Sequence, residues 1–492
     1  MKRRFAVAIV AIWIAGGLGA YEGPVFTIEA WRGETAWAKI PDKFAGEIAK
    51  QAIASGDVEL EFFGVAAVDY LAYPTSEQVL RRLDRVVSDF AAPALCRVAV
   101  KSDAKAGIRD FGPLHVKVVD RVLPPAKEWK YYLDLWQHPW AVARQAKVEP
   151  FTPAHYKEMA KVLGTLAECG QKTITATLVD LPWNHQCYDA YHSMIGRVKA
   201  ADGSWRFDYK LFDEYVEFAL RCGIGPDIAC YTMCPWEYVV RWQNEKGEVQ
   251  RGKAIPGSPL FNDFWGDFLV DFAAHLKRKG WLGQTYIAMD ERSPEDVRKI
   301  VDLVREKAPG LKIAMAGNRK PSDFDGIEIE NFSQVLGNVT DEYLSELDQR
   351  RQNGQVTTYY VCCWPPRPNT FMSSGNDEAF YLGAFPAFSG FDGFLRWAAN
   401  SWPADPCADA SCYPWSAGDT FLIYPDGGYS TRLINLRAGI VAAEKLRILR
   451  ERNLFVGEID ALKAECDFKK ALAGDFDHAA FRRKVEALVN RD

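Results

Sequence analysis

The chain has 492 residues, 48% hydrophobic and 25% charged, with a formal net charge of −5. Single cores stop growing near about 250–300 residues, so this length calls for one large domain with smaller parts. The acidic balance, with no basic run beyond the N-terminus, implies no polyanion-binding surface and gives no reason to expect a nucleic-acid partner.

In chain order, the first feature is Lys2-Arg3-Arg4, followed by an apolar stretch over residues 5–14 and a small-residue segment ending at Ala20. This is the pattern of a secretory signal peptide over residues 1–20, too short to span a bilayer comfortably. It predicts an exported protein, periplasmic or extracellular, with no membrane span after cleavage. Residues 21–125 carry short alternating runs, such as 58–63 and 115–119, bounded by Gly, Asp and Pro. They predict a small β-sandwich, interrupted by a helical pattern over 77–90. Leu123-Pro124-Pro125 reads as the linker.

From residue 126 strands and helices alternate. Strands are expected over 131–136, 173–179, 228–233, 285–289, 312–316, 326–329, 356–362 and 393–397, with an extra one over 421–424. Helices are expected over 209–221, 264–277, 294–306, 341–351, 377–388 and 431–450, and one more begins at Pro153 behind Thr152 as its N-cap. The fold class is therefore α/β: a (β/α)8 TIM barrel over 126–452 behind the N-terminal β-sandwich. A charged helical tail over 453–492 completes the chain. No glycine-rich phosphate loop follows the first strand, which disfavours an open nucleotide-binding sheet.

Barrel chemistry sits at the C-terminal ends of the strands. Four Asp-Glu dipeptides occur, at 213–214, 290–291, 341–342 and 377–378. Three read as helix surface or first-turn charge. Asp290-Glu291 alone ends an apolar strand and precedes a capped helix, so it is the candidate catalytic pair. Other strand ends carry Trp beside amides, His or Arg: Trp136 and His138; Trp183 and His185; Trp236; Asn318; Trp364 and Asn369; and Arg396, Trp397, Asn400 and Trp402. Flat apolar faces with planar hydrogen-bonding groups suit a sugar, and these residues form the candidate substrate site. His138, His185 and His192 lack metal-ligand spacing, so neither a metal nor a cofactor is expected. No GxSxG elbow supports a serine nucleophile. Of the 11 cysteines, Cys407 and Cys412 are spaced for a small disulfide, and Cys362 and Cys363 are expected to point to opposite faces of a strand.

The chain resembles glycoside hydrolase family 123. The likeness spans about residues 116–450 and rests on Tyr132-Leu133-Asp134-Leu135-Trp136-Gln137-His138-Pro139, Asp202-Gly203-Ser204-Trp205-Arg206-Phe207-Asp208-Tyr209 and Cys230-Tyr231-Thr232-Met233-Cys234-Pro235-Trp236. Arg396-Trp397-Ala398-Ala399-Asn400-Ser401-Trp402 and Leu422-Ile423-Tyr424-Pro425 complete it. The resemblance implies an exo-acting, retaining β-N-acetylgalactosaminidase whose substrate supplies its own acetamido oxygen as nucleophile. It assigns Glu291 as acid and base with a raised pKa, and Asp290 as the ionised partner of the acetamido N–H. Asn184-His185-Gln186-Cys187 departs from the Gly-rich stretch more usual there, and the loop 405–415 is particular to this chain. Both regions are expected to border the pocket and leave the sugar open. Two alternatives follow: a glycosidase of another specificity using a second carboxylate from Asp134, Asp180 or Glu237, or a non-catalytic glycan-binding protein.

Overall fold

The computed structural model describes residues 26–41, 56–72, 75–88, 94–319 and 321–492. The signal-peptide segment lies outside the described residues. Two sheets form the N-terminal part. One orders Phe26–Arg32, Leu114–Val122 and Gly107–Phe111; the other orders Thr35–Ile40, Ala94–Val100, Val58–Leu71 and Val79–Val87. Inward residues of both, among them Ile28, Leu60, Val98 and Val116, share one small core.

The helix expected over 77–90 is a strand, Val79–Val87, paired antiparallel with Val58–Leu71. Its apolar residues fall at helical spacing, which misleads. The strand turns Arg82, Asp84 and Val86 toward the barrel and leaves Val79 and Leu83 exposed. Asp84 is inward because it meets a buried cation. The Arg432 guanidinium lies 3.0 Å from its carboxylate, and Tyr424 and Thr431 each donate to it at 2.9 Å. Burial pushes the Asp84 carboxyl up, but Arg432 and Arg82 outweigh that and hold it below the usual carboxylate range. This pair joins the sandwich to the barrel. Asp84→Ala is expected to destabilise the protein by about 3–5 kcal/mol, because it strands a buried guanidinium. Chemical denaturation measures this, and a loss below about 1 kcal/mol contradicts it.

Eight parallel strands form the barrel sheet, in the order Tyr132–Leu135, Gly393–Arg396, Val356–Tyr360, Asn331–Val335, Lys312–Gly317, Thr285–Asp290, Asp227–Tyr231 and Thr173–Thr177. The first and last of these close the ring. The Lys172 N–H donates to the Leu133 carbonyl at 2.9 Å. Beyond that point two side-chain amides replace the backbone ladder: Leu135 N–H donates to Gln171 Oε1 at 3.0 Å, and Thr175 N–H to Gln137 Oε1 at 2.8 Å.

The sixth barrel strand is Asn331–Val335, not 326–329. Its sequence is Asn-Phe-Ser-Gln-Val and every residue is buried. Asn331 reaches the Tyr132 hydroxyl at 3.0 Å inside the barrel, and such polar interior positions carry no hydrophobic signal. Residues 421–424 form isolated bridges instead of a strand. A four-stranded sheet absent from the sequence reading, Trp205–Asp208, Gly196–Lys199, Val239–Asn244 and Val249–Lys253, is inserted at the second and third barrel units.

The helices follow their capping signals. Thr152, Ser258 and Ser293 accept from the N–H three residues on, each with Pro at the first helical position. The helix expected over 377–388 breaks into Asn376–Ala384 and Pro386–Ser389, split at Phe385-Pro386. Asn376–Ala384 packs so closely on Thr431–Glu451 that a Cβ on Gly439 would lie 2.1 Å from the Phe380 carbonyl oxygen. The C-terminal helices return to the sandwich, where the Trp31 indole donates to the Val489 carbonyl at 2.8 Å.

Candidate active site

Thr285–Asp290 ends at the barrel mouth, and Glu291 leaves it in the left-handed conformation, φ +50°. Neighbours on a regular strand face opposite ways. The left-handed turn, unusual for a residue with a side chain, breaks that alternation, and both carboxylates line one cleft. The turn is pinned by Glu291 N–H donating to the Ala316 carbonyl at 2.8 Å.

Glu291 is clamped at both oxygens. The Tyr360 hydroxyl donates to Oε1 at 2.7 Å, and Asn318 Nδ2 to Oε2 at 3.0 Å. Asp290 sits against aromatic edges. Burial and then the Glu291 charge push its carboxyl well above the usual range, while Arg292 and the indoles of Trp236 and Trp183 pull it back. Without a sugar, then, the upward push falls on Asp290, whereas the resemblance implies it for Glu291.

Trp236 and Trp397 join the pair in the cleft wall, with Trp415 and Gln186. The Trp397 indole donates to Asp419 at 3.0 Å and meets Trp415 edge-on at 5.4 Å. Trp415 in turn donates to the Gln186 carbonyl at 2.8 Å. The two segments expected to border the pocket, around His185 and over 405–415, therefore do so through Gln186 and Trp415. Trp136 and Trp183 are buried and stack at 5.0 Å, and neither is in the cleft lining. Trp364 is 45% exposed and lies directly on Gly337, next to Asn338, whose amide donates to the Asn318 carbonyl.

Five expected sugar contacts are structural instead. Asn400 exchanges hydrogen bonds with the His138 backbone at 2.9 and 3.0 Å. His138 is buried, stacks on Tyr191 at 3.6 Å and caps a helix, and burial holds its imidazole down to about 3. Arg396 is fully buried on Asp419 at 2.8 Å and Asn369 at 3.2 Å. Asn369 itself ties Cys362 and Pro365 carbonyls, and Trp402 donates to the Ile423 carbonyl. Their strands do end at the mouth, but the side chains turn down to hold the loops. His185 is exposed and lines a neighbouring cavity. Among the described residues no group of three or more His, Cys, Asp or Glu is placed to hold a metal ion.

Tyr360 and the Cys362–Cys363 pair were not among the expected site residues, and Gln186 and Trp415 were expected only as parts of the two bordering segments. Tyr360 ends its strand two residues before the end expected at 362, so the strand-end rule pointed past it. All cysteines are free, Cys407 and Cys412 included. Cys362 and Cys363 do not face apart: their strand stops at Tyr360, and the sulfurs lie 3.9 Å from each other in the cleft. Hydrogen bonding from Cys362 draws the Cys363 thiol below its usual range, against burial, and Cys363 is the exposed cysteine. Brief iodoacetamide treatment is expected to alkylate Cys363 first, read by peptide mass mapping. Prior labelling at Cys187 or Cys412 contradicts this.

The comparisons agree with this geometry. Residues 136–449 match the family model "Glycoside hydrolase 123, catalytic domain". A solved family 123 glycoside hydrolase from Clostridium perfringens, studied for glycolipid glycan hydrolysis, superposes with a TM-score of 0.80 at 22% identity, covering 95% of this chain and 94% of the other. An exo-β-1,4-mannosidase from Opitutaceae bacterium strain TAV5 gives a TM-score of 0.38 at 10% identity over 65% of this chain and 60% of the other. No curated protein matches in sequence.

Proposed function

The chain belongs to glycoside hydrolase family 123, and from that premise we propose that it is an exo-acting, retaining β-N-acetylhexosaminidase, with terminal β-linked N-acetylgalactosamine as its sugar. The observation that supports this reading most is the cleft's acidity: among the described residues its lining has no carboxylate other than Asp290 and Glu291. The candidate second carboxylates lie elsewhere. Asp134 is buried in the barrel with its carboxyl pushed up to about 7, chiefly by burial, while Asp180 and Glu237 line the neighbouring cavity. Adjacent residues cannot flank a glycosidic bond from opposite faces as the ordinary two-carboxylate schemes require. A substrate that brings its own nucleophile removes that requirement.

Asp290 accepts the acetamido N–H and orients the carbonyl oxygen toward the anomeric carbon. As that oxygen attacks, positive charge develops on the acetamide and the Asp290 carboxylate stabilises it. Glu291 protonates the leaving oxygen. Water then opens the oxazolinium ring, giving its proton to Glu291, and the β-configuration is retained. By likeness to the clostridial enzyme, glycolipid glycans are the proposed natural substrates. The basic and apolar segment at residues 2–20 is the ground for proposing export, and no described helix is long and apolar enough to cross a membrane.

A panel of aryl β-glycosides with and without a 2-acetamido group tests the proposal. Acetamido substrates are expected to win by at least about 10³-fold, the scale of an intramolecular nucleophile, with inhibition by a GalNAc-thiazoline. Equal turnover of 2-hydroxy sugars, or inversion of the anomer, contradicts it. Glycan affinity with no released monosaccharide would favour a binding protein.

A further inference from the structure

A second cavity, of about 370 Å³, adjoins the catalytic cleft. The two share loops: Trp236 and Gln186 line the cleft, and their chain neighbours Pro235, Glu237 and His185 line the cavity. Its far wall is the inserted hairpin, Val239–Asn244 paired with Val249–Lys253. Alternation sorts the hairpin's faces. Trp242 packs on Trp205 and Phe264, with ring centroids 6.0 and 6.2 Å away. Arg241, Arg251 and Lys253 lie on the other face and line the cavity.

This cationic face has a cost. Arg241 and Arg251 are direct cross-strand partners, with Lys253 opposite Val239 in the next pair on that face, and like charges directly opposite destabilise a sheet. Among the described residues none of these three cations is in a salt bridge, although Lys199 of the same sheet pairs with Asp263 at 2.5 Å. Two carboxylates share the cavity. Asp180 accepts the Ser193 N–H at 2.9 Å and faces His192 at 3.6 Å. Glu237 takes the Asn184 amide at 3.4 Å. Three cations against two carboxylates leave the wall net positive. Arg241 lies close enough to Asp180 to help hold its carboxyl down, while the Arg251 fork is in no salt bridge among the described residues and suits a planar or tetrahedral anion.

We propose that this cavity is a subsite for an anionic group of the glycan, a sulfate ester or a sugar carboxylate, bound by Arg241, Arg251 and Lys253 while the terminal sugar occupies the cleft at Asp290 and Glu291. The proposal rests on the function proposed above. The anion has two possible sources, a substituent on the terminal sugar or an acidic sugar on the leaving side.

The test compares kcat/KM for an aryl N-acetylgalactosaminide 6-sulfate, for an N-acetylgalactosaminyl-uronic acid disaccharide, and for the neutral counterpart of each. The protein is used as the wild type, Arg251→Gln/Lys253→Gln and Arg251→Lys. The double variant is expected to lower the acidic-to-neutral ratio at least about tenfold in one arm, through KM. The arm that responds identifies the source. Arg251→Lys, which keeps charge but loses the fork, is expected to fall between and guards against a double variant that fails to fold. Ratios within about twofold of wild type in both arms overturn the proposal. Calorimetric titration with 6-sulfated N-acetylgalactosamine separates the two failures. Should no glycoside be hydrolysed, the functional reading fails. The subsite then stands if binding weakens in the variants and falls if binding is equal in all three proteins.

Discussion

Glu291→Gln is expected to lower kcat/KM on an alkyl β-N-acetylgalactosaminide by about 10³-fold or more without unfolding the protein. The amide keeps the shape of the carboxyl, and the Tyr360 hydroxyl 2.7 Å from Oε1 still has an acceptor. What is lost is a proton for the departing oxygen. An alkoxide cannot leave without it, whereas an acidic phenol nearly can. The loss should therefore shrink steadily as the aryl leaving group becomes more acidic, until hydrolysis of the oxazolinium ring limits turnover. A uniform loss across leaving groups would mean that Glu291 positions the sugar and is not its acid. Near wild-type turnover of the alkyl glycoside would remove Glu291 from the chemistry altogether.

The pair itself was legible in the sequence, because an apolar strand ran straight into two acids and a Ser-Pro helix start. Its surroundings were less so, for a definite reason. A strand-end rule locates a residue at the mouth but does not say whether its side chain turns up or down. Arg396 and Trp397 are adjacent: Arg396 is buried on Asp419 and holds the loop, while Trp397 stands in the cleft wall. Asn318 and Asn369 both follow strand ends, yet one reaches Glu291 and the other ties loop carbonyls. The two asparagines are the same residue type, and only tertiary packing separates them. The fold shows the same limit. The barrel alternation was readable wherever buried positions were apolar. It failed at Asn331–Val335, whose buried face is polar, and at Val79–Val87, whose inward residues include Arg82 and Asp84.

Asp290→Asn is expected to cost about 10²–10³-fold in kcat/KM on acetamido glycosides and to move the acid limb of the residual activity toward lower pH. The first effect follows from charge. The amide offers a hydrogen-bond acceptor to the acetamido N–H but no negative charge for the cation that forms, so the transition state loses more than the ground state. The second follows from the raised carboxyl. Burial and the Glu291 charge hold the Asp290 carboxyl high, and in the proposed mechanism only its ionised form stabilises the developing cation, so wild-type activity falls on the acid side while the pH is still above the usual carboxylate range. Asn at 290 takes up no proton, so the acid limb shifts down. A pH profile of kcat/KM for the wild type and Asp290→Asn, on a neutral acetamido glycoside, measures the displacement. An acid limb that stays in place would show that ionisation of Asp290 does not limit the reaction.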